Sequence, residues 1–177
     1  MPSPQPSGGS EPGRASDSDT PIRLTVDLDA PPPRVFKALT DPHDLKVWVW
    51  GGMGRDAEAE ADLRVGGRYR VTITTDVAHG WPRSQWSMRG LYVEIAPPTR
   101  LVYTVHWDAP VGYNEDADSH GSVVDELVVI DLAERNGATV LHYAHFGVPN
   151  AAAAAAHKDA IQHTLELLRA LVASRRQ

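Results

Sequence analysis

Cysteine is absent from the 177 residues. Disulfides, thiolate metal sites and a cysteine nucleophile are therefore excluded, and a reducing, cytoplasmic setting is the expectation. Basic charge is in deficit, with 17 Lys+Arg against 23 Asp+Glu and a formal net charge of -6. No dense Lys/Arg run compensates, so the chain lacks the basic face that a nucleic-acid partner requires. No stretch approaches the roughly 18 consecutive apolar residues of a membrane span, and residues 1–20 lack the basic and apolar regions of a signal peptide. GxSxG is missing, which removes the strand–turn–helix elbow of a serine hydrolase. HExxH and any His₂-carboxylate spacing are missing too. His142 and His145 fall on opposite faces of a predicted strand, while His157 and His163 are six apart on a predicted helix. The expectation is no metal, no cofactor and no assigned catalytic residue.

What is present divides into a tail and one domain. Residues 1–20 hold 12 Pro, Ser and Gly and no large apolar residue after Met1, too little to offset the entropy of ordering. They read as a disordered tail, with the domain spanning 21–177. "IRLTVDLD" alternates as a half-buried strand. "APPPRVFKALT" reads as a short helix whose prolines occupy the first turn. Asp41 and Pro42 then serve as N-cap and first residue of a second helix, "HDLKVWVW". From about Ala57 the period returns to two through "AEAEADL", "RYRVTITT", "SMRGLYVEI", "RLVYTVHW", "ELVVIDL" and "TVLHYAHF". The last two are joined by a hairpin with Asn136-Gly137 at its tip. Residues 108–122 form a long acidic connection, a candidate lid. From Ala151 the chain reads as one amphipathic helix, with Ile161, Leu165, Leu168 and Val172 on its apolar face and Arg175 and Arg176 at its C-terminal end. Strands segregated from helices predict an α+β fold.

Gly66-Gly67 in "DLRVGGRYRV" could be a phosphate cradle or a turn. A cradle needs a helix after the glycines. "RYRVTI" alternates like a strand, so the glycines read as a hairpin turn. "APPPRVFKALTDPHDLKVW", "DLRVGGRYR", "GLYVEIAPPTRLVYT", "TVLHYAHFGVP" and "HKDAIQHTLELLRAL" occur in the order seen in the START-like (SRPBCC, helix-grip) superfamily. Within it, the chain resembles the branch named after the C-terminal domain of the heat-shock-protein-90 ATPase activator. The resemblance implies a curved antiparallel sheet wrapped around the long C-terminal helix, with two short helices after the first strand. It also implies a cavity for an apolar or aromatic small molecule between sheet and helix.

On that fold the expected cavity residues are Trp48 at the mouth, Tyr69, Tyr103, Trp107, Tyr143 and His145 from the sheet, and Ile161 and Leu165 from the helix. Leu141 would face inward with Tyr143 and His145, and Leu168 would join the floor. His145 is the leading ionisable group, able to orient a ligand or exchange a proton near neutral pH. Glu94 and His106 are second-rank. Where the family often carries Gly-Trp on the long helix, this chain has Ala160-Ile161, which reshapes the cavity. The expected function is a binding domain for a small hydrophobic or aromatic ligand, and a homodimer is compatible with it. Two alternatives stand beside it: a polyketide cyclase or dehydratase-like enzyme using His145 or Tyr103, and an interaction domain for a chaperone or regulator.

Overall fold

The structure, a computed structural model, describes residues 21–51, 54–75, 84–108, 126–148 and 151–174. The expected tail, nearly all of the 108–122 connection, and Arg175 and Arg176 lie outside the described residues. The elements run β1 (Ile22–Leu28), α1 (Pro32–Thr40), α2 (Pro42–Trp48), β2 (Gly54–Ala61), β3 (Arg68–Thr75), β4 (Gln85–Ala96), β5 (Arg100–Asp108), β6 (Glu126–Arg135), β7 (Ala138–Phe146) and α3 (Ala151–Ser174). The strands form one antiparallel sheet in the order β1-β7-β6-β5-β4-β3-β2. This is the α+β helix-grip arrangement: a curved sheet with α3 against its concave side.

Local chemistry explains the helix boundaries. Pro32 and Pro33 fill the first turn of α1, where backbone N–H groups have no intrahelical partner. Asp41 ends α1 and caps α2, its carboxylate accepting the His43 N–H at 2.8 Å. Arg34 of α1 donates to the fully buried Asp44 of α2 at 2.8 Å, and the Trp48 indole N–H reaches the Ala38 carbonyl at 2.9 Å. These contacts fix the short helices as a unit at one end of the sheet.

The sheet bends where its register breaks. Pairing of β2 with β3 shifts between Arg55 and Glu58, where Asp56 adopts φ 55°. Pairing of β4 with β5 shifts between Tyr92 and Glu94. Such bulges increase twist and bend the strand that carries them. They also explain why β2 begins at Gly54, three residues before alternation is visible in the sequence. Gly66 adopts φ 78° between β2 and β3, a left-handed value that favours glycine. A strand, not a helix, follows, so Gly66-Gly67 is a turn. Asn136 and Gly137, at φ 55° and 77°, make the tight β6–β7 turn.

The concave side of the sheet carries the core. Val71, Leu101, Val105, Val128, Ile130 and Leu141 are buried there and meet Leu165, Leu168 and Val172 of α3. Arg169 also donates to the Asp27 carbonyl at 3.2 Å, tying α3 to β1. Among the described residues no helix is long and apolar enough to cross a membrane.

Gly90 marks the closest approach within the sheet. A Cβ there would lie 1.9 Å from the Thr104 carbonyl oxygen and 2.9 Å from the Tyr69 ring. Gly90→Ala is expected to destabilise the fold by about 1–3 kcal/mol, the range for overpacking a filled interior. Urea unfolding measures it. An unchanged midpoint would mean that β4 and β5 do not approach this closely.

Candidate functional site

Between the concave face and α3 lies a cavity of about 840 Å³. Trp48, Tyr103, Trp107, Tyr143, His145, Ile161 and Leu165 all contribute to its lining. Period two on β5 and β7 turns Tyr103, Val105 and Trp107, and Tyr143 and His145, to the same concave side. The i, i+4 spacing of Ile161 and Leu165 turns both toward the sheet. Tyr69 is not part of the lining. Its ring packs against Tyr92 and Tyr103 at 5.5 Å each, and its hydroxyl donates to the Thr104 carbonyl at 2.8 Å. The space left open by Gly90 draws the ring into the sheet. Leu141 and Leu168 are fully buried in the core and also lie outside the lining.

One end of the cavity is polar. His145 is 2% exposed and its Nε2 lies 2.6 Å from Glu126 Oε2, itself on a residue 2% exposed. The Tyr143 hydroxyl lies 3.2 Å from His145 Nδ1, and the Trp107 indole N–H donates to Glu126 Oε2 at 3.3 Å. His157 of α3, 7% exposed, stacks with His145 at 6.0 Å between centroids and also meets Trp107 at 6.3 Å. Trp50 stands edge-on to Trp107 at 5.5 Å. The rings of Trp50, Trp107, His157, His145 and Tyr143 thus follow one another along the wall.

Protonation follows from these partners. Burial pushes the Tyr103 and Tyr143 hydroxyls above the usual value of 10 and Tyr92 to about 12. Tyr143 therefore keeps its proton. Its hydroxyl donates to or accepts from Nδ1 of His145 according to the imidazole tautomer, and the Glu126 carboxylate accepts from a protonated Nε2. Burial alone would push the Glu126 carboxyl up. The hydrogen bond from His145, the imidazoles of His145 and His157 and the Trp107 N–H outweigh it, and the group lies below its ordinary 4.5.

The second-rank candidates sit elsewhere. Glu94 is exposed and pairs with Arg100 at 3.0 Å, a surface ion pair. His106 is half-buried, 3.6 Å from Asp108. Linear spacing gave no His₂-carboxylate set, yet Glu126, His145 and His157 converge from β6, β7 and α3. Glu126 and His157 are the residues that sequence reasoning missed. Both carried a signal. Glu126 shares its strand parity with the apolar Val128, Ile130 and Leu132, and His157 lies four and eight residues before Ile161 and Leu165.

The depressed Glu126 carboxyl has a pH signature. Its stabilising contribution is complete above the unfolded value of about 4.5 and is lost as pH falls through the lower folded value. The difference in urea midpoint between wild type and Glu126→Gln is expected to shrink as pH falls below about 4.5. A difference that stays constant down to pH 3 would show that the fold does not favour the ionised carboxylate.

No curated protein matches the sequence. Solved structures do match. Protein CV1439 from Chromobacterium violaceum is 27% identical, over 86% of this chain and 96% of that one, with a TM-score of 0.65. A Rhodobacter sphaeroides protein at 21% identity covers 94% of this chain and 99% of its own, with a TM-score of 0.66. CalU16 from Micromonospora echinospora, also 21% identical, covers 86% of this chain and 75% of its own at a TM-score of 0.56. The family described as activator of Hsp90 ATPase homolog 1-like protein matches residues 29–173. That match takes in every element from α1 to α3, and the chain belongs to this family.

Proposed function

We propose that this protein is a cytoplasmic binding module that encloses one small apolar or aromatic molecule, with a hydrogen-bonding group of that molecule directed to the polar end. The observation that carries the reading is the cavity itself. Its volume of about 840 Å³ lies within the roughly 300–1,000 Å³ typical of ligand pockets. Its wall is mostly apolar and a hydrogen-bonding cluster stands at one end, the pairing of surfaces that ligand pockets present. Water suits the polar end but finds few partners along Trp48, Val105, Ile161 and Leu165. An apolar guest suits that wall better.

A second reading is favoured by one observation, the hydrogen-bonded run from Tyr143 through His145 to Glu126. In an enzyme of the cyclase or dehydratase type, that run would hold a proton beside an enclosed substrate, with His145 as the exchanging group. The carrier reading stands first because Tyr143 and His145 are already engaged with each other and with Glu126. His145→Ala separates the two: a carrier keeps its ligand with altered affinity, whereas an enzyme loses turnover with its fold intact.

The carrier reading has a direct test. Native mass spectrometry of freshly purified protein is expected to show a stoichiometric small-molecule adduct that is lost on denaturation. In parallel, the amphipathic dye 1-anilinonaphthalene-8-sulfonate, whose aromatic rings seek apolar surface, is expected to bind once per chain. Ile161→Trp, which pushes a large ring into the cavity, should weaken the dye by about tenfold or more, corresponding to ~1.4 kcal/mol. A folded variant that binds dye like wild type, with no adduct on either protein, would overturn the reading.

A further inference from the structure

Three ligand-type side chains from three separate elements meet at the polar end of the cavity. Glu126 opens β6, His145 stands near the end of β7, and His157 lies two turns into α3. One carboxylate oxygen and one nitrogen from each ring all fall within 4.8 Å of one another. All three residues are more than nine-tenths buried. Glu126 and His145 already meet at 2.6 Å, and a cation set between them and His157 would take one donor atom from each of the three.

We infer that Glu126, His145 and His157 form a site for one first-row divalent cation of the zinc and iron(II) class, with its remaining coordination positions open to the cavity. Two imidazoles and one carboxylate are the donor set of catalytic zinc centres and of non-haem iron(II) centres. Calcium and magnesium are disfavoured, because they call for six or more oxygens. Metal–ligand bonds of about 2.0–2.2 Å place donor atoms about 3–3.5 Å apart. The 2.6 Å contact between Glu126 and His145 therefore has to open by less than ~1 Å, a small rotation of the glutamate side chain.

The surroundings already contain the outer partners that such sites use. Trp107 donates to Glu126 at 3.3 Å and Tyr143 holds the far nitrogen of His145 at 3.2 Å. With an ion on Nε2, the single ring proton resides on Nδ1 and the Tyr143 oxygen accepts it. The same hydroxyl thus serves both tautomers. Both imidazoles line the cavity, so positions not taken by protein face that space and receive water or an oxygen donor from a guest. The ion site is independent of the small-molecule reading, since it requires only the three side chains.

The test uses the full chain, stripped with a chelator and dialysed. Zn²⁺ is titrated by calorimetry, and Co²⁺ by its visible d–d absorption. The expected result is one ion per chain, with a cobalt spectrum of a four- or five-coordinate nitrogen and oxygen site. Glu126→Gln and His157→Gln should each weaken Zn²⁺ at least tenfold while retaining the wild-type circular dichroism. His142→Ala, an exposed histidine on the other face of β7, should leave the affinity unchanged. Should either cavity variant fail to fold, proton NMR of the Co²⁺-loaded wild type decides, with strongly shifted signals from two imidazoles expected. No stoichiometric binding, binding indifferent to both substitutions, or a cobalt form without two shifted imidazoles would each overturn the assignment. Dye titration of the stripped protein reads the cavity separately, so the two inferences fail independently.

Discussion

A bent sheet of seven strands encloses more volume than one helix can fill. That geometric constraint governs the rest of the molecule. Bulges at Arg55–Glu58 and Tyr92–Glu94 supply the bend, and α3 closes the concave side along only part of its length. Near Leu168 and Val172 helix and sheet make a dry core. Toward Ile161 and His157 the residues between helix and sheet line the cavity instead. Large rings line that space because they cover wide areas while losing little rotamer freedom. The protein therefore has two interiors end to end, one packed and one open.

Polarity is concentrated in the open half. A carboxylate buried with two imidazoles, a phenol and an indole is unusual for a structural core, where the same volume in leucine would be simpler and at least as stable. Here four of the five are joined by hydrogen bonds: Trp107 with Glu126, Glu126 with His145, His145 with Tyr143. Such a network fixes the relative positions of β5, β6 and β7. His157 brings α3 to the same place, so one small cluster registers the helix against the sheet at the end where apolar packing gives out.

Much of the architecture was legible in the sequence. Alternation in β1 and β3, the Asp41-Pro42 boundary and the Asn136-Gly137 turn are local signals, and each produced the element it announced. Period two grouped Tyr103 with Trp107 and Tyr143 with His145, while the choice of the inward face came from the family resemblance and not from the spacing. The limits came where position depends on several chains of contacts at once. Tyr69 has inward parity, yet the absence of a side chain at Gly90 lets its ring sink between strands. The start of β2 was hidden because a bulge interrupts alternation there. The polar cluster leaves no mark in the spacing of the histidines along the chain. Their meeting depends on a helix crossing a sheet, which no linear spacing records. In the sequence Glu126 and His157 are visible only as polar residues set within an apolar stripe.

The two-residue turn between β6 and β7 has a reach that its size conceals. Val128 stands opposite His145, and Leu127 opposite Phe146, in a ladder that begins at Arg135 and Ala138 beside the turn. Glu126 and His145 sit at the far end of that ladder, yet their facing one another depends on the count of residues across it. Slipping one strand by a single position would send either the acid or the imidazole to the outer surface and bring a neighbour such as Leu127 or Ala144 inside. Substitutions in the cavity wall leave this register intact, whereas a one-residue slip of either strand changes the face that the acid or the imidazole occupies. The chemistry of the cavity is in that sense inherited through the length of a turn that lies at the opposite end of the hairpin.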